Sequence, residues 1–146
     1  MHRYFRERSD LVDAVVLDSV RVIADATARA RLDEGDALDG LRRLLAEYLD
    51  VGDRVRVLLD DPSLAGTYPA VDDLLRAEGP VVGVIERGQA DGRLDNKVPA
   101  AWIERVLWAL LYTACEAVDE GMLSRHEALA TALRSLEHGI CGQPTV

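Results

Sequence analysis

The stretch from Pro99 to Asp119 constrains the fold of this chain most, because it is long, apolar and helical in its spacing. Apolar side chains recur three and four residues apart from Trp102 onward, as on one face of an α-helix, and Trp108 and Tyr112 widen that face. Only four charged residues indicate a solvent-facing edge: Glu104, Arg105, Glu116 and Asp119. A helix this apolar must be covered on most sides, so the sequence predicts a central helix.

The rest of the chain repeats the helical pattern in shorter segments and shows no strand-like alternation. We expect a helix starting at the N-cap Ser9 and running to about Glu34, and another capped by Asp36. Gly79-Pro80 must break or kink the helix that starts at Pro69, and Ser124-x-x-Glu127 is a capping box for the last helix. The predicted fold class is all-α, one helical bundle of about six helices.

Composition limits the possible classes of protein. The chain has 146 residues, 49% of them apolar and 29% charged, which is typical of one soluble globular domain. No apolar run reaches the ~18 residues of a membrane span, and the polar start is unlike a signal peptide. Cys115 and Cys141 do not make a disulfide framework, which indicates a reducing, cytoplasmic location. A net charge of -9 disfavours a broad nucleic-acid-binding face.

No pattern predicts catalysis, a metal site or a cofactor. The histidines His2, His126 and His138 are far apart in sequence and lack the spacing of metal ligands. There is no nucleophile elbow, phosphate loop or dinucleotide fingerprint. Adjacent acids such as Asp60-Asp61 point in different directions on a helix and read as solvated helix ends. We therefore expect no enzyme and no catalytic residue.

The N-terminal residues carry a family resemblance. His2-Arg3-Tyr4-Phe5, followed by Arg8 and then by Leu11, Ala14 and Val15, resembles the junction between DNA-reading head and linking helix in TetR/AcrR-type transcriptional regulators. Tyr4 and Phe5 match the aromatic element that ends the recognition helix, and His2 stands where Tyr is usual. Leu11, Ala14 and Val15 match the first buried turn of the linking helix. Arg6 and Glu7 depart from the family's usual Pro and small polar residue. The segment from Arg87 to Leu94, with the two helices after it, is similar to the family's C-terminal half.

The resemblance implies a domain division and a partial DNA contact. Residues 1–8 would be a remnant of the helix-turn-helix head, and residues 9–146 the effector-binding and dimerisation domain of a repressor. The family's head has three helices, and the sequence given starts in the last turn of the third. We therefore expect specific DNA binding only if the other head helices are present. Four residues would contact DNA phosphates: His2, Arg3, Tyr4 and Arg8.

The family resemblance also implies a small-molecule effector, which would act by shifting the population of two tilts of the first helix. Candidate pocket residues are apolar or amphipathic and lie on the middle helices: Tyr48, Val55, Leu58, Tyr68, Trp102 and Tyr112. No charged residue stands out inside these helices, so we expect a mostly hydrophobic ligand.

The last two helices carry more apolar surface than one chain can cover, which predicts a homodimer. Its interface would use Trp108, Leu111, Leu129, Leu133 and Leu136. The alternative function is a helical protein-interaction module without ligand or DNA activity of its own. A cavity of ~300 Å³ or more would favour the effector-binding hypothesis over this module.

Overall fold

The computed structural model describes residues 2–75 and 79–141, with side chains from residue 9 onward. Eight α-helices and no strand are found in these ranges: α1 His2–Arg29, α2 Ala37–Asp50, α3 Gly52–Leu59, α4 Leu64–Thr67, α5 Pro69–Leu75, α6 Pro80–Ala90, α7 Ala100–Asp119 and α8 Arg125–Ile140. The all-α prediction is confirmed. The number exceeds about six because the segment after Ser63 contains the single turn α4, and because α5 and α6 are separate helices.

Helix α7 is the centre of the bundle, as its sequence predicts. It packs against α2, α3, α6 and α8. Leu107 and Leu111 on its inner face are completely buried. None of the helices in the described ranges is long and apolar enough to cross a membrane.

The predicted caps are found where the sequence places them. The Asp36 carboxylate accepts a hydrogen bond of 2.7 Å from the Leu38 backbone N–H at the start of α2. Ser124 and Glu127 form the reciprocal capping box of α8. Pro80 occupies the first turn of α6, where its missing N–H costs nothing.

Both predicted ends of α1 are wrong. The helix is continuous from His2, so Ser9 lies inside it and is not an N-cap. Residues 2–8 include good helix formers, whose propensity outweighs the capping signal of one serine. At the other end α1 stops at Arg29 rather than near Glu34, and Arg31 adopts a positive φ of 49°.

Among the residues of α1 whose side chains are described, from residue 9 onward, the first buried one is Val16. The buried stripe follows helical spacing: Val16, Ser19, Ile23, Ala26 and Ala30. Leu11 and Val15 are 65% and 40% exposed, and Ala14 is exposed as well. The first turn of the linking helix, which the resemblance predicts to be buried, is thus uncovered within this chain. A helix of 28 residues is about 42 Å long and extends beyond what the bundle covers.

Candidate functional site

A cavity of about 570 Å³ lies between α1, α5 and the start of α6. Its walls are mainly apolar, with charges at the edge from Arg31, Asp33 and Asp73. The apolar and small residues of the wall are Val20, Ala24, Ala28, Leu32, Ala70, Leu74, Gly79 and Pro80, joined by Thr27. The side chains that α1 contributes are small or short and are spaced three to four residues apart, which leaves room along one helix face.

The hydroxyl of Thr27 connects this cavity to the core. It donates to the Ile23 carbonyl at 2.9 Å, so the Tyr48 hydroxyl donates in the 2.7 Å hydrogen bond between Tyr48 and Thr27. Tyr48 is almost completely buried, and burial raises its pKa to about 12. The phenol is therefore a neutral donor that fixes one wall residue of the cavity.

Two arginines hold the C-terminal end of α1, next to the same cavity. Arg43 of α2 donates to the carbonyls of Ala30 at 2.8 Å and Glu34 at 2.7 Å, and Arg87 of α6 donates to the Leu32 carbonyl at 2.9 Å. These bonds satisfy backbone carbonyls in the turn that directly follows α1. The turn after α1 is thereby tied to α2 and α6, which fixes the C-terminal end of the helix.

A second, more polar space of about 510 Å³ lies where α1, the α2–α3 turn, α7 and α8 meet, and we call it the polar groove. Its charges are largely paired with one another: Arg125 with Asp50 at 2.9 Å, and Arg56 with Asp119. Cys115 lies in its wall, and burial raises the pKa of its thiol to about 11. A thiol with that pKa is not a reactive nucleophile at neutral pH.

The six predicted pocket residues do not come together around one space, and none of them lines either cavity. Val55 and Leu58 are buried core residues, and Trp102 is 57% exposed on α7. Tyr112 donates to Asp60 at 2.7 Å and lies under the Arg56 guanidinium. Tyr68 donates a hydrogen bond to Asp13 on α1. Their role in binding stays a prediction.

The predicted interface residues divide into two groups. Trp108, Leu111 and Leu136 are buried within their own chain, where Trp108 stacks on Tyr48. Leu129 and Leu133 on α8 are only partly buried, so they still have surface to offer to a second copy. The predicted phosphate contacts His2, Arg3, Tyr4 and Arg8 lie on the backbone of α1, but their side chains are outside the described part.

Sequence reasoning placed Glu104 on a solvent-facing edge, and that interpretation is wrong. Glu104 is 5% exposed, and desolvation by the surrounding helix bundle raises its pKa to about 7. It lies one turn before Trp108, on the face of α7 that turns inward. The sequence does contain a signal for the burial of Glu104. It lies next to Ile103 and three residues before Leu107, and these two residues define the buried face of α7.

The sequence and the fold of this chain are both similar to those of a known repressor. The repressor LfrR of Mycolicibacterium smegmatis, described as an HTH-type transcriptional repressor, is 31% identical over 99% of this chain and 74% of its own length. The crystal structure of the TetR-like transcriptional regulator LfrR from Mycobacterium smegmatis, in complex with proflavine, superposes with a TM-score of 0.70 and 26% identity, over 99% of this chain and 77% of that one.

A further similarity is partial. The electron transfer flavoprotein subunit beta of Chromohalobacter salexigens is 30% identical over 84% of this chain but only 46% of that protein. No protein-family model matches the chain. The extent of the LfrR match, in sequence and in fold, decides the assignment: this chain belongs to the TetR family of transcriptional regulators.

Proposed function

We propose that this domain senses a small, largely apolar molecule in the cavity between α1, α5 and α6, and that α1 carries the response. The observation that supports this proposal is the shared use of α1. Val20, Ala24, Thr27 and Ala28 of α1 line the cavity, and the same uninterrupted helix continues to His2. The family resemblance implies that the N-terminal end of that helix joins the DNA-reading head. Residues 1–8 would then belong to the head and residues 9–146 to the sensor.

The mechanism is a population shift between two tilts of α1. The C-terminal end of α1 is fixed by Arg43 and Arg87, so a ligand that pushes on its middle would move mainly the N-terminal half. That half is restrained by the hydrogen bond from Tyr68 to Asp13, which such a movement would strain. Displacement of α1 in two subunits would change the distance between two reading heads. A ligand has this effect only if it binds one tilt more tightly than the other.

The dimer is part of the same proposal. Leu129 and Leu133 leave apolar surface on α8 beside the central helix α7, and pairing these two helices with their copies would form a symmetric four-helix contact. The two sensors would then act on one pair of heads.

Titration with proflavine, the molecule bound by the similar LfrR structure, tests the cavity. Ala24→Trp places an indole in the cavity from the middle of α1, whereas Ala14→Trp makes the same change on an exposed part of α1 outside it. Ligand at about 100 times its Kd should stabilise the wild-type chain by about 2.7 kcal/mol. We expect Ala24→Trp to lose this thermal shift and Ala14→Trp to keep it. Equal shifts in both variants would place the effector elsewhere.

A further inference from the structure

Arg31 is the one non-glycine residue with a positive φ in the described ranges, 2–75 and 79–141. Its φ is 49°, in the left-handed region, whereas the other positive φ values belong to glycines: Gly35, Gly92 and Gly121. A Cβ atom makes this conformation unfavourable, and glycine is the usual residue for it just after a helix. The chain thus has an arginine side chain at a position where glycine would be more stable.

The backbone around Arg31 is fixed by two arginines from other helices. Arg43 of α2 donates to the Arg31 carbonyl at 3.0 Å and to the Glu34 carbonyl at 2.7 Å. Arg87 of α6 donates to the Leu32 carbonyl at 2.9 Å. A strained residue persists only where its surroundings hold it, and such residues are frequent at ligand sites. The turn after α1 is thus a rigid support for the Arg31 side chain.

The Arg31 side chain lies at the edge of the apolar cavity between α1, α5 and α6. Its ion pair among the described residues is with Glu34 at 3.6 Å, and the two side chains are 64% and 62% exposed. Exposed pairs of this kind add little to stability, so this contact does not offset the backbone strain. The N–H groups of the guanidinium have no hydrogen bond within the described part of the chain and are available to a ligand.

Arg31 is also the only donor of a free hydrogen bond among the side chains that form the described wall of this cavity. Thr27 has a hydroxyl, but that hydroxyl donates to the Ile23 carbonyl at 2.9 Å. The other polar wall residues, Asp33 and Asp73, are carboxylates and accept hydrogen bonds. Among these side chains, only Arg31 can therefore donate to an acceptor oxygen of a ligand.

The charges at the edge of the cavity favour a neutral acceptor over an anion. Asp33 and Asp73 are exposed, and neither has an ion pair with another described residue. They would repel a carboxylate close to Arg31, whereas the carbonyl oxygen of a ketone or an ester carries no net charge. The rest of the described wall is aliphatic and suits a hydrocarbon chain.

We propose that Arg31 selects the effector of this cavity, which is an apolar molecule with a neutral carbonyl group. The carbonyl oxygen accepts a hydrogen bond from the guanidinium, and the hydrocarbon part lies between α1 and α5. This inference rests on the proposed function, because it assigns the ligand class of the same cavity. Arg31 lies just after the end of α1, so a ligand bonded to it also contacts the helix that carries the response.

Three probes of similar size test the ligand class: methyl hexyl ketone, octanoate and octylamine. At neutral pH they present a neutral carbonyl, a carboxylate and an ammonium group. In calorimetric titrations of the wild-type chain, we expect the ketone to bind most tightly. Tighter binding of octanoate or octylamine would overturn the proposed class, because the cavity would then select a charged molecule.

Two alanine variants test the role of the side chain. Arg31→Ala removes the guanidinium, and Arg29→Ala is the matched control, because Arg29 pairs with Glu47 at 3.0 Å and does not line the cavity. We expect Arg31→Ala to weaken ketone binding by at least about tenfold, the low end for a hydrogen bond to a charged group. Arg29→Ala should leave it unchanged. Octylamine binding should not fall in Arg31→Ala, and an equal loss of ketone and octylamine would show a packing effect and overturn the inference.

Arg31→Gly separates the effect of the backbone from that of the side chain. Glycine relieves the left-handed strain, so the melting temperature of Arg31→Gly should lie above that of Arg31→Ala. Ketone binding should be equally weak in both variants. A glycine variant that is no more stable than the alanine variant would contradict the strain at this position, and with it the argument that the side chain is there for a ligand.

Comparison with Ala24→Trp separates this inference from the proposed function. Loss of ketone binding in Ala24→Trp but not in Arg31→Ala would keep the cavity and overturn the role of Arg31. Loss in Arg31→Ala alone would place the ketone outside the cavity, which also overturns the inference. A wild-type chain that binds proflavine in the cavity but does not bind the ketone would leave the proposed function intact and overturn this inference alone.

Discussion

The hydroxyl of Tyr68 donates a hydrogen bond to the Asp13 carboxylate, which joins the start of α5 to the N-terminal half of α1. The bond raises the pKa of Tyr68, because it is lost when the phenol ionises and the phenolate would be repelled by the Asp13 carboxylate. Helix α5 is also a wall of the apolar cavity through Ala70 and Leu74. A ligand that moves α5 would therefore also displace α1 at Asp13, about four turns before Thr27.

Tyr68→Phe should loosen the N-terminal half of α1. The variant loses one hydrogen bond to a charged group and little packing, so we expect the free energy of unfolding to fall slightly. Hydrogen exchange should become faster at the amides of residues 10–18. Tyr112→Phe is the matched control, because it removes the 2.7 Å bond to Asp60, which does not involve α1. Unchanged exchange in α1 of Tyr68→Phe would show that this bond does not restrain the helix.

Glu104 should make stability depend on pH. Its folded pKa is about 7 against an ordinary value of 4.5, so its protonated form is favoured by folding. The stability that protonated Glu104 contributes is fully present below about pH 4.5 and is lost as the pH rises through about 7. The loss is about 3 kcal/mol at most. Glu104→Gln should thus raise the melting temperature at pH above 7 and have little effect near pH 4.5. A variant that is less stable than wild type in alkaline buffer would contradict this.

Alanine substitutions at Gly88 and Gly83 on α6 should change the free energy of unfolding in opposite directions. A Cβ on Gly88 would lie 2.7 Å from the Leu94 side chain and 2.9 Å from the Ala37 Cβ, whereas one on Gly83 would meet nothing within 4 Å. Gly88→Ala should lower the free energy of unfolding by about 1–3 kcal/mol through overpacking. Gly83→Ala should raise it by up to about 1 kcal/mol through helix propensity. Urea unfolding measures both, and two changes of the same sign would refute the packing described for α6.

The dimer proposal makes a prediction for α8. Leu133→Asp places a charge on the partly buried α8 surface, so sedimentation velocity should show a monomer where the wild-type chain is a dimer. Leu17→Asp is the control, because Leu17 is 51% exposed on α1, away from α8. A wild-type monomer at tens of micromolar, or a dimer that survives Leu133→Asp, would rule out this interface.

Local signals in the sequence predicted the framework well. The capping box of Ser124 and Glu127, the cap at Asp36 and the break before Pro80 are found as expected, because each depends on hydrogen bonds between residues close in sequence. The same reasoning failed at Ser9, where a cap residue lies within a longer helix. A capping side chain stabilises a helix start by about 1 kcal/mol, and the helix propensity of several preceding residues easily outweighs this.

The candidate site could not be predicted in the same way. Its walls come from α1, α5 and α6, and their approach depends on packing between residues far apart in sequence, which periodicity does not encode. Tyr48 was among the aromatic residues chosen for the pocket, and it is buried in a stack with Trp108, which was chosen for the dimer interface. Glu104 was missed because a charged residue in an apolar helix is normally at its edge.

Hydrogen–deuterium exchange of the chain with and without saturating proflavine tests the central proposal most directly. If the effector binds between α1, α5 and α6, protection should appear in residues 20–33 and 69–75, and exchange should change in the N-terminal half of α1. Protection confined to residues 49–56 and 115–125, around the polar groove, would contradict the account, because the ligand would then bind without contacting the cavity.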